Sequence, residues 1–551
     1  MAIIRSQCGQ CAVGCGIRVV TDEAQRTLRV EGDPVHPANG GLLCPRVGAI
    51  EAAASTEGRL LHPLLHGRRQ QWDRVIGQLA RRWEAILTRH GAGRVALHVG
   101  GGLLTEDYYV ANKLIKGFCG SAHVHAPWMG PVPALQRAAF GEDVVPVAAE
   151  DIDRARIILI VGDGAALDYP VLIDRVQAAG RDGGAILIQI GSQENAGASG
   201  ADLVLRVPPG AEAVLLNGLL LHCLDQGLSD PDGVARSIGV PDGFADALRP
   251  GHDIWSVARA CGVAPAAIRD FYDLWTGNHA CLTISASQQE ETIAALLNLH
   301  LATGRIGRPG AGPFLLASRA NAMGARETGC MAAMLAAHMD FAPAALARTA
   351  RFWGARMLAR EPGLEGEALL RAMRDGQIHA LWSMGADAES ADWLREARRI
   401  VPLSIRATQD AGEAGDGWSA LLPAAAWVEK DGTLTGADRL ISRQRRLFDL
   451  PGEARPDWWM LTRLAQAMGW ADAFHYEQAA DIYREHVRLT AYQNDGERLL
   501  NLRRHAPISN PAYAELTPWR WGGVPFDEGR FPTGDGRARL LPPGQVRPAI
   551  P

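Results

Sequence analysis

Gln7-Cys8-Gly9-Gln10-Cys11-Ala12-Val13-Gly14-Cys15-Gly16, answered further on by Leu43-Cys44, is the stretch that decides how this chain is read. The C-x2-C-x3-C run puts three thiols on one tight loop, and Cys44 returns a fourth from a separate turn. Iron-sulfur clusters are held by four cysteine thiolates in this way, with three close in sequence and one supplied from elsewhere. Gly9, Gly14 and Gly16 let the backbone fold closely around the sulfurs and leave amides free to hydrogen-bond to them, which tunes the potential. A structural zinc site is the competing reading, but its usual spacing is two C-x2-C pairs. Cys8, Cys11, Cys15 and Cys44 are therefore read as the metal ligands of a [4Fe-4S] cluster, and the protein as one that moves electrons. The remaining cysteines, Cys119, Cys223, Cys261, Cys281 and Cys330, are scattered singly and read as small buried residues. Such a distribution is not a secreted disulfide framework.

Around the cysteines, residues 1–56 carry two short β-type runs, Ile17 to Thr21 and Leu28 to Glu31, and the turn-rich segment Gly32 to Gly41. From residue 57 the texture changes to short apolar runs alternating with helical patterns, the signature of an α/β protein with mostly parallel sheets covered by helices. Strands are predicted at Val95–Val99, Ile157–Val161, Ala185–Ile190, Ala280–Ile284 and His379–Met384. Helices are predicted from Thr105 to about Phe118, with Glu106 and Asp107 in the first turn where the helix dipole favours them, and from Glu290 to Ala302. Glu429-Lys430-Asp431-Gly432-Thr433 reads as a turn between strands, and Pro456-Asp457-Trp458-Trp459 as a helix start. A chain of 551 residues exceeds what one hydrophobic core supports, so two to four domains or lobes are expected.

Bulk properties exclude several partners. A net charge of −5 and a pI of about 6.4 give no basic footprint for nucleic acid. The most apolar stretches, such as Ala213 to Leu224, are shorter than the roughly 20 residues that span a bilayer. The opening Met-Ala-Ile-Ile-Arg-Ser-Gln-Cys has neither a basic n-region before an apolar core nor an Arg-Arg signal, so a cytoplasmic location is expected.

Several segments resemble one family. Cys8-x2-Cys11-x3-Cys15, Glu31-Gly32-Asp33-Pro34, His36-Pro37-Ala38-Asn39-Gly40 and Leu43-Cys44 resemble the N-terminal signature of the molybdopterin oxidoreductases, specifically bacterial assimilatory nitrate reductases and their formate dehydrogenase cousins. Thr105 to Leu114, His300 to Gly310, Asn321-Ala322-Met323-Gly324, Glu429 to Thr433 and Gly452 to Trp459 look like nitrate-reductase segments. The resemblance implies a formate dehydrogenase/DMSO reductase-like fold: a [4Fe-4S] domain at 1–56, a discontinuous first α/β lobe at 57–150 and 345–430, a Rossmann-like second lobe at 151–344, and a return segment at 431–551 that packs on the N-terminal module and ends in a proline-rich tail. It further implies molybdenum held by molybdopterin guanine dinucleotide, and reduction of nitrate to nitrite with electrons fed by the cluster. In the family a basic residue two positions after the last cluster cysteine lies between cluster and pterin, and Arg46 occupies that place. The turns Gly162-Asp163-Gly164 and Pro209-Gly210-Ala211-Glu212 resemble its βα cofactor loops.

Three departures accompany the resemblance. Trp128, in Pro127-Trp128-Met129, stands where the family's molybdenum-ligand cysteine precedes a methionine, and an indole has no lone pair to give a metal. His123, His125 and Cys119 are the nearby candidates for a substitute ligand. Ile190-Gly191-Ser192-Gln193-Glu194-Asn195 replaces a strand end in Asp-Pro-Arg-Arg-Thr, removing two arginines suited to a phosphate grip. The sequence stops soon after Phe531 to Arg539, where the family continues into a further cofactor-binding domain. The expected partners are thus a redox protein (ferredoxin, flavoprotein or reductase subunit) and a separate cofactor-domain subunit, with no nucleic acid and no membrane span. Three functions follow: a nitrate-reductase-like oxidoreductase, a catalytically degenerate electron-transfer or scaffold subunit that keeps the cluster, or a formate dehydrogenase-like enzyme.

Overall fold

A computed structural model describes residues 3–192, 200–228, 237–317, 319–355, 357–385 and 388–543. Gln193, Glu194 and Asn195, and the last residues of the proline-rich tail, lie outside the described residues.

Along the chain the strands are β1 (Ile3–Gln7), β2 (Gly16–Asp22), β3 (Thr27–Gly32), β4 (Leu64–Leu65), β5 (Arg68–Arg69), β6 (Val95–Val99) and β7 (Val124–His125). There follow β8 (Ile157–Val161), β9 (Ile186–Gly191), β10 (Leu203–Arg206), β11 (Ile238–Gly239), β12 (Cys281–Ser285) and β13 (Gly312–Leu315). Then come β14 (Ala380–Met384), β15 (Leu403–Thr408), β16 (Ala420–Pro423), β17 (Gly432–Thr435), β18 (Leu440–Gln444), β19 (Trp519–Arg520) and β20 (Ala538–Arg539). The first three form an antiparallel sheet, and two larger sheets run β5-β4-β16-β15-β14-β6-β7 and β10-β9-β8-β12-β13. The five-stranded sheet is parallel throughout, and so is the larger sheet from β16 to β7.

The central strands are mostly apolar and wholly buried, as expected where both faces of a parallel sheet are covered. Every residue of Val95–Val99 and of Ile157–Val161 is buried. The predicted strands appear at these places with ends displaced by at most one residue, and the helix Glu290–Ala302 spans the predicted residues. Two local readings change. The helix from Thr105 is α-helical only to Asn112 and continues to Phe118 as a π-helical turn, with both Lys113 and Lys116 buried. The Glu429–Thr433 segment is no simple turn between strands: a 3₁₀ turn covers Trp427–Glu429 and β17 already starts at Gly432. No helix among the described residues is long and apolar enough to cross a membrane.

That segment ties distant parts of the chain together through charge. Glu429, fully buried, receives Arg26 from the N-terminal sheet and Arg59 at 3.0 Å. Next to it, the Lys430 ammonium bonds Asp457 at 2.8 Å and Asp107 at 3.2 Å, all three buried. Burial alone would favour neutral lysine, but the two carboxylates outweigh it and hold the ammonium charged. Replacing Lys430 by Met leaves two facing buried carboxyls without their cation and should cost roughly 3–5 kcal/mol. The midpoint of urea unfolding measures it, and an unchanged midpoint would show that the triad contributes nothing.

Candidate iron-sulfur site and interlobe cleft

The cysteine loop is closed by its own backbone. The Cys8 amide donates to the Cys15 carbonyl at 2.9 Å, and the Gly14 amide to the Cys11 carbonyl at 3.2 Å. The surrounding structure then leaves no room for side chains at two glycines. A Cβ on Gly16 would lie 2.3 Å from the His36 ring, and one on Gly9 would lie 2.5 Å from the Trp427 ring. His36 meets the Ser442 hydroxyl at 3.1 Å, and the Trp427 indole donates to the Gln7 carbonyl at 2.9 Å, so both rings are fixed. The second half of the site, residues 33–44, is pinned by Asn39, which accepts from the Gly16 amide at 2.9 Å and donates to the carbonyls of Gly16 and Leu42. That clasp carries the chain to Cys44.

Cys8, Cys11 and Cys15 are buried, whereas Cys44 is half-buried. Burial pushes the Cys8 thiol up to about 12 and raises Cys11 and Cys15 as well, with each neighbouring sulfur opposing the ionisation of the next. Thiols held this way ionise only where a metal takes the charge. Among the described residues no three His, Cys, Asp or Glu side chains converge on one ion. Cys8, Cys11, Cys15 and Cys44 lie close enough for their charges to oppose one another, and four thiols grouped in this way fit a [4Fe-4S] cluster.

Arg46 follows Cys44 and lies near enough to the cluster loop to favour ionisation of Cys8 and Cys11. Its guanidinium also donates to the Asp168 carbonyl at 2.9 Å and approaches the Asp168 carboxylate at 3.4 Å, so it bridges the cluster loop to the second lobe. Asp168 and its neighbour Tyr169 carry no sequence signal, because short polar turns after strands are common.

Beyond them the carboxyl ends of the two parallel sheets face each other, as ligand crevices in α/β sheets do. Arg319, after β13, lays its side chain where Gly101, after β6, would carry a Cβ, and pairs with Glu389, after β14, at 2.6 Å. Gln288, after β12, occupies the corresponding space at Gly130. Gly162 has a left-handed φ of 86° and nothing within 4 Å of its missing Cβ, so a ligand could approach its backbone. Asp163 is turned to the Ser192 amide at 3.1 Å, and Gly164 opens the short helix to Asp168. Pro209 and Gly210 form the turn before the helix Glu212–Asp225, and the Glu212 carboxylate accepts from the Gly210 amide at 2.7 Å.

Trp128 is not in that crevice as a donor. It is buried, its indole N–H donates to the Val99 carbonyl at 2.8 Å, and its ring packs on Tyr108. A molybdenum ion does not fit a protein ligand at this position. Its neighbours do not replace it: His123 and His125 accept from the amides of Leu364 and Gly366, and the Cys119 sulfur receives the Trp83 indole N–H. The other four isolated cysteines are buried and unpaired. Missed from sequence were the buried carboxyls Glu106 and Glu327. Glu106 sat in a helix-start motif, but only Asp107 caps that helix, accepting from the Leu104 amide at 3.1 Å.

A cysteine loop for a cluster in front of two largely parallel sheets defines a two-sheet α/β protein with an N-terminal iron-sulfur module. The chain belongs to the molybdopterin oxidoreductase family: the Molybdopterin oxidoreductase model matches residues 59–467, and the Molybdopterin oxidoreductase Fe4S4 domain model matches residues 1–52. It is 37% identical over 541 residues to a nitrate reductase of Klebsiella oxytoca, covering 95% of this chain and 61% of that protein. It is 34% identical over 585 residues to a nitrate reductase of Shewanella frigidimarina, covering 99% of this chain and 62% of that protein. The chain thus spans somewhat under two thirds of the length of these relatives. Acetylene hydratase from Pelobacter acetylenicus shares the fold, with a TM-score of 0.77 over 98% of this chain and 77% of that one, at 15% identity.

Replacing Cys11 by Ser should remove the cluster: iron should fall from about four per chain towards zero, and residues 1–52 should become protease-sensitive. Unchanged iron in this variant would show that Cys11 is not a ligand.

Proposed function

We propose that this chain is the iron-sulfur electron-transfer part of a nitrate-reductase-like molybdopterin oxidoreductase. Cys8, Cys11, Cys15 and Cys44 hold the cluster, and a redox partner (a ferredoxin, a flavoprotein or a reductase subunit) supplies single electrons at the Cys44 edge. Arg46 positions the outgoing path, because its charge acts on the cluster thiols while its guanidinium bonds Asp168. The observation that carries the reading is the contrast between two sites. The thiol set fits its cluster, while Trp128, which the resemblance puts at the place of the molybdenum ligand, gives its only polar hydrogen to a backbone carbonyl.

A second reading, nitrate reduction at a pterin cofactor bound in this cleft, is favoured by the open backbone at Gly162. A bound pterin cofactor would supply the oxygen-transfer chemistry there, and Gly162 and Gly210 would let its phosphates approach the main chain.

Elemental analysis of protein purified without oxygen separates the two. The electron-transfer reading expects iron and sulfide at about four per chain, no molybdenum, and no nitrate consumption with a reduced dye. Molybdenum with nitrate turnover would establish the enzyme instead. Trp128→Cys should raise molybdenum retention in cells that make the cofactor, and no gain would count against position 128 as the metal's place.

A further inference from the structure

β17 separates the cluster loop from two buried carboxyl groups. Side chains alternate along a strand, and here the alternation is put to use. Leu434 turns to Gly14 of the cluster loop, while Thr433 and Thr435 turn the other way. Just past the strand, the Ala437 amide donates to the Ala12 carbonyl at 2.8 Å, so strand and loop are locked together. On the far side Glu106 accepts from the Thr433 amide at 2.8 Å, the Thr433 hydroxyl at 3.0 Å and the Tyr513 hydroxyl at 2.7 Å. Glu327 accepts from the Thr435 hydroxyl at 2.8 Å and the Trp521 indole at 2.6 Å. Among the described residues neither carboxyl makes an ion pair.

The cations that face them are already committed. Arg443 of β18, on the Glu106 side, bonds Asp431 at 2.7 Å; Arg326, beside Glu327, is held by Asp143. Asp107 turns to Lys430. Tyr483, from the helix Ala479–Ala491, feels both carboxyls, and beyond the Trp521 ring lies His338, which bonds Glu142 at 2.8 Å. Burial raises Glu106 to about 7 and Glu327 to about 8, so each changes charge near neutrality.

We propose that Glu106 and Glu327 take up a proton when the cluster accepts an electron, which couples electron entry to proton entry at this site. The proposal rests on the cluster reading given above. In the step one electron passes from a one-electron carrier to the oxidised cluster, and one proton from solvent converts a carboxylate to a carboxylic acid; no other bond changes. Tyr483, its ring tilted against that of Tyr513 at 5.3 Å between centroids, bonds the His505 Nδ1 through its hydroxyl at 2.8 Å. Across one strand, at about 10 Å and an effective dielectric constant near 20, one added negative charge raises a carboxylate's proton affinity roughly 15-fold.

The sign follows from linkage. A reduced cluster binds the proton more tightly than an oxidised one, so the midpoint potential falls as pH rises from about 7 to about 9, and is flat on either side. Redox titration of the cluster-loaded chain, followed by electron paramagnetic resonance from pH 6 to 10, reads this directly. Glu106→Gln and Glu327→Gln, whose amides imitate the protonated acids, should each remove part of the slope. The double variant should be flat and sit at the wild-type low-pH value. A merely structural role would change iron content and leave the slope. Reduced-minus-oxidised infrared spectra of the wild type should also show a protonated-carboxyl band that appears on reduction, which keeps the test open if the variants do not fold. A pH-independent potential, variants that retain the full slope, or no carboxyl band would overturn the proposal while the cluster stands; protein that binds no iron would overturn both.

Discussion

Thiolate charge inside a dry loop is the constraint on which the rest of this structure depends. Three of the four cysteines are buried, and burial alone raises their thiols far above the range in which they ionise. Only metal can make such thiolates stable, so the loop must hold four sulfurs at positions that iron dictates. The protein meets this with short backbone ties, Cys8 to Cys15 and Asn39 to Gly16, and with aromatic rings pressed onto Gly9 and Gly16. Those rings come from residues 36 and 427, and His36 is held in turn by Ser442. Through Trp427 and Ser442 the loop is therefore built on a segment more than 400 positions away in sequence.

This long-range closure explains what the sequence could and could not disclose. The cysteine spacing, the buried parallel strands and the helix at Glu290–Ala302 are local patterns, and they were legible because each follows from neighbouring residues alone. Where the pattern was local but its use was not, the reading slipped. Glu106 and Asp107 look alike at a helix start, yet Asp107 caps the turn and Glu106 leaves the helix for Thr433 and Tyr513. Nothing near Glu327 in sequence marks it, because its partners lie on β17 and at Trp521. Arg46 was visible only through resemblance, and its bond to Asp168 required the second lobe to be in place.

The cleft shows a different balance. Its rim is crossed by protein-protein contacts: Arg319 with Glu389, Arg46 with Asp168, and the Tyr169 hydroxyl with the Ala317 carbonyl. The first two of these ion pairs have exposed acidic partners, so they are worth little as stabilising contacts, and a ligand could displace them. Trp128 differs in kind. Its indole is embedded among Tyr108 and strand β6, and moving it would expose apolar surface and orphan a buried N–H and a buried carbonyl. The rim can open to a ligand, whereas Trp128 is held where it stands.

Electron transfer through such a cluster changes the charge of a dry region, and that change has to be compensated locally or opposed. On one side of the loop Arg46 offers a fixed positive charge, already shared with Asp168. On the other side lie two neutralisable carboxyls with no cation of their own, while the nearby Lys430 is fully engaged by Asp107 and Asp457. A fixed cation stabilises the reduced cluster at every pH, whereas a titrating acid does so only where it can gain a proton. The two flanks of the loop thus set the potential in different ways, and β17, a single strand bonded to both the loop and the acids, is the element through which the second one acts.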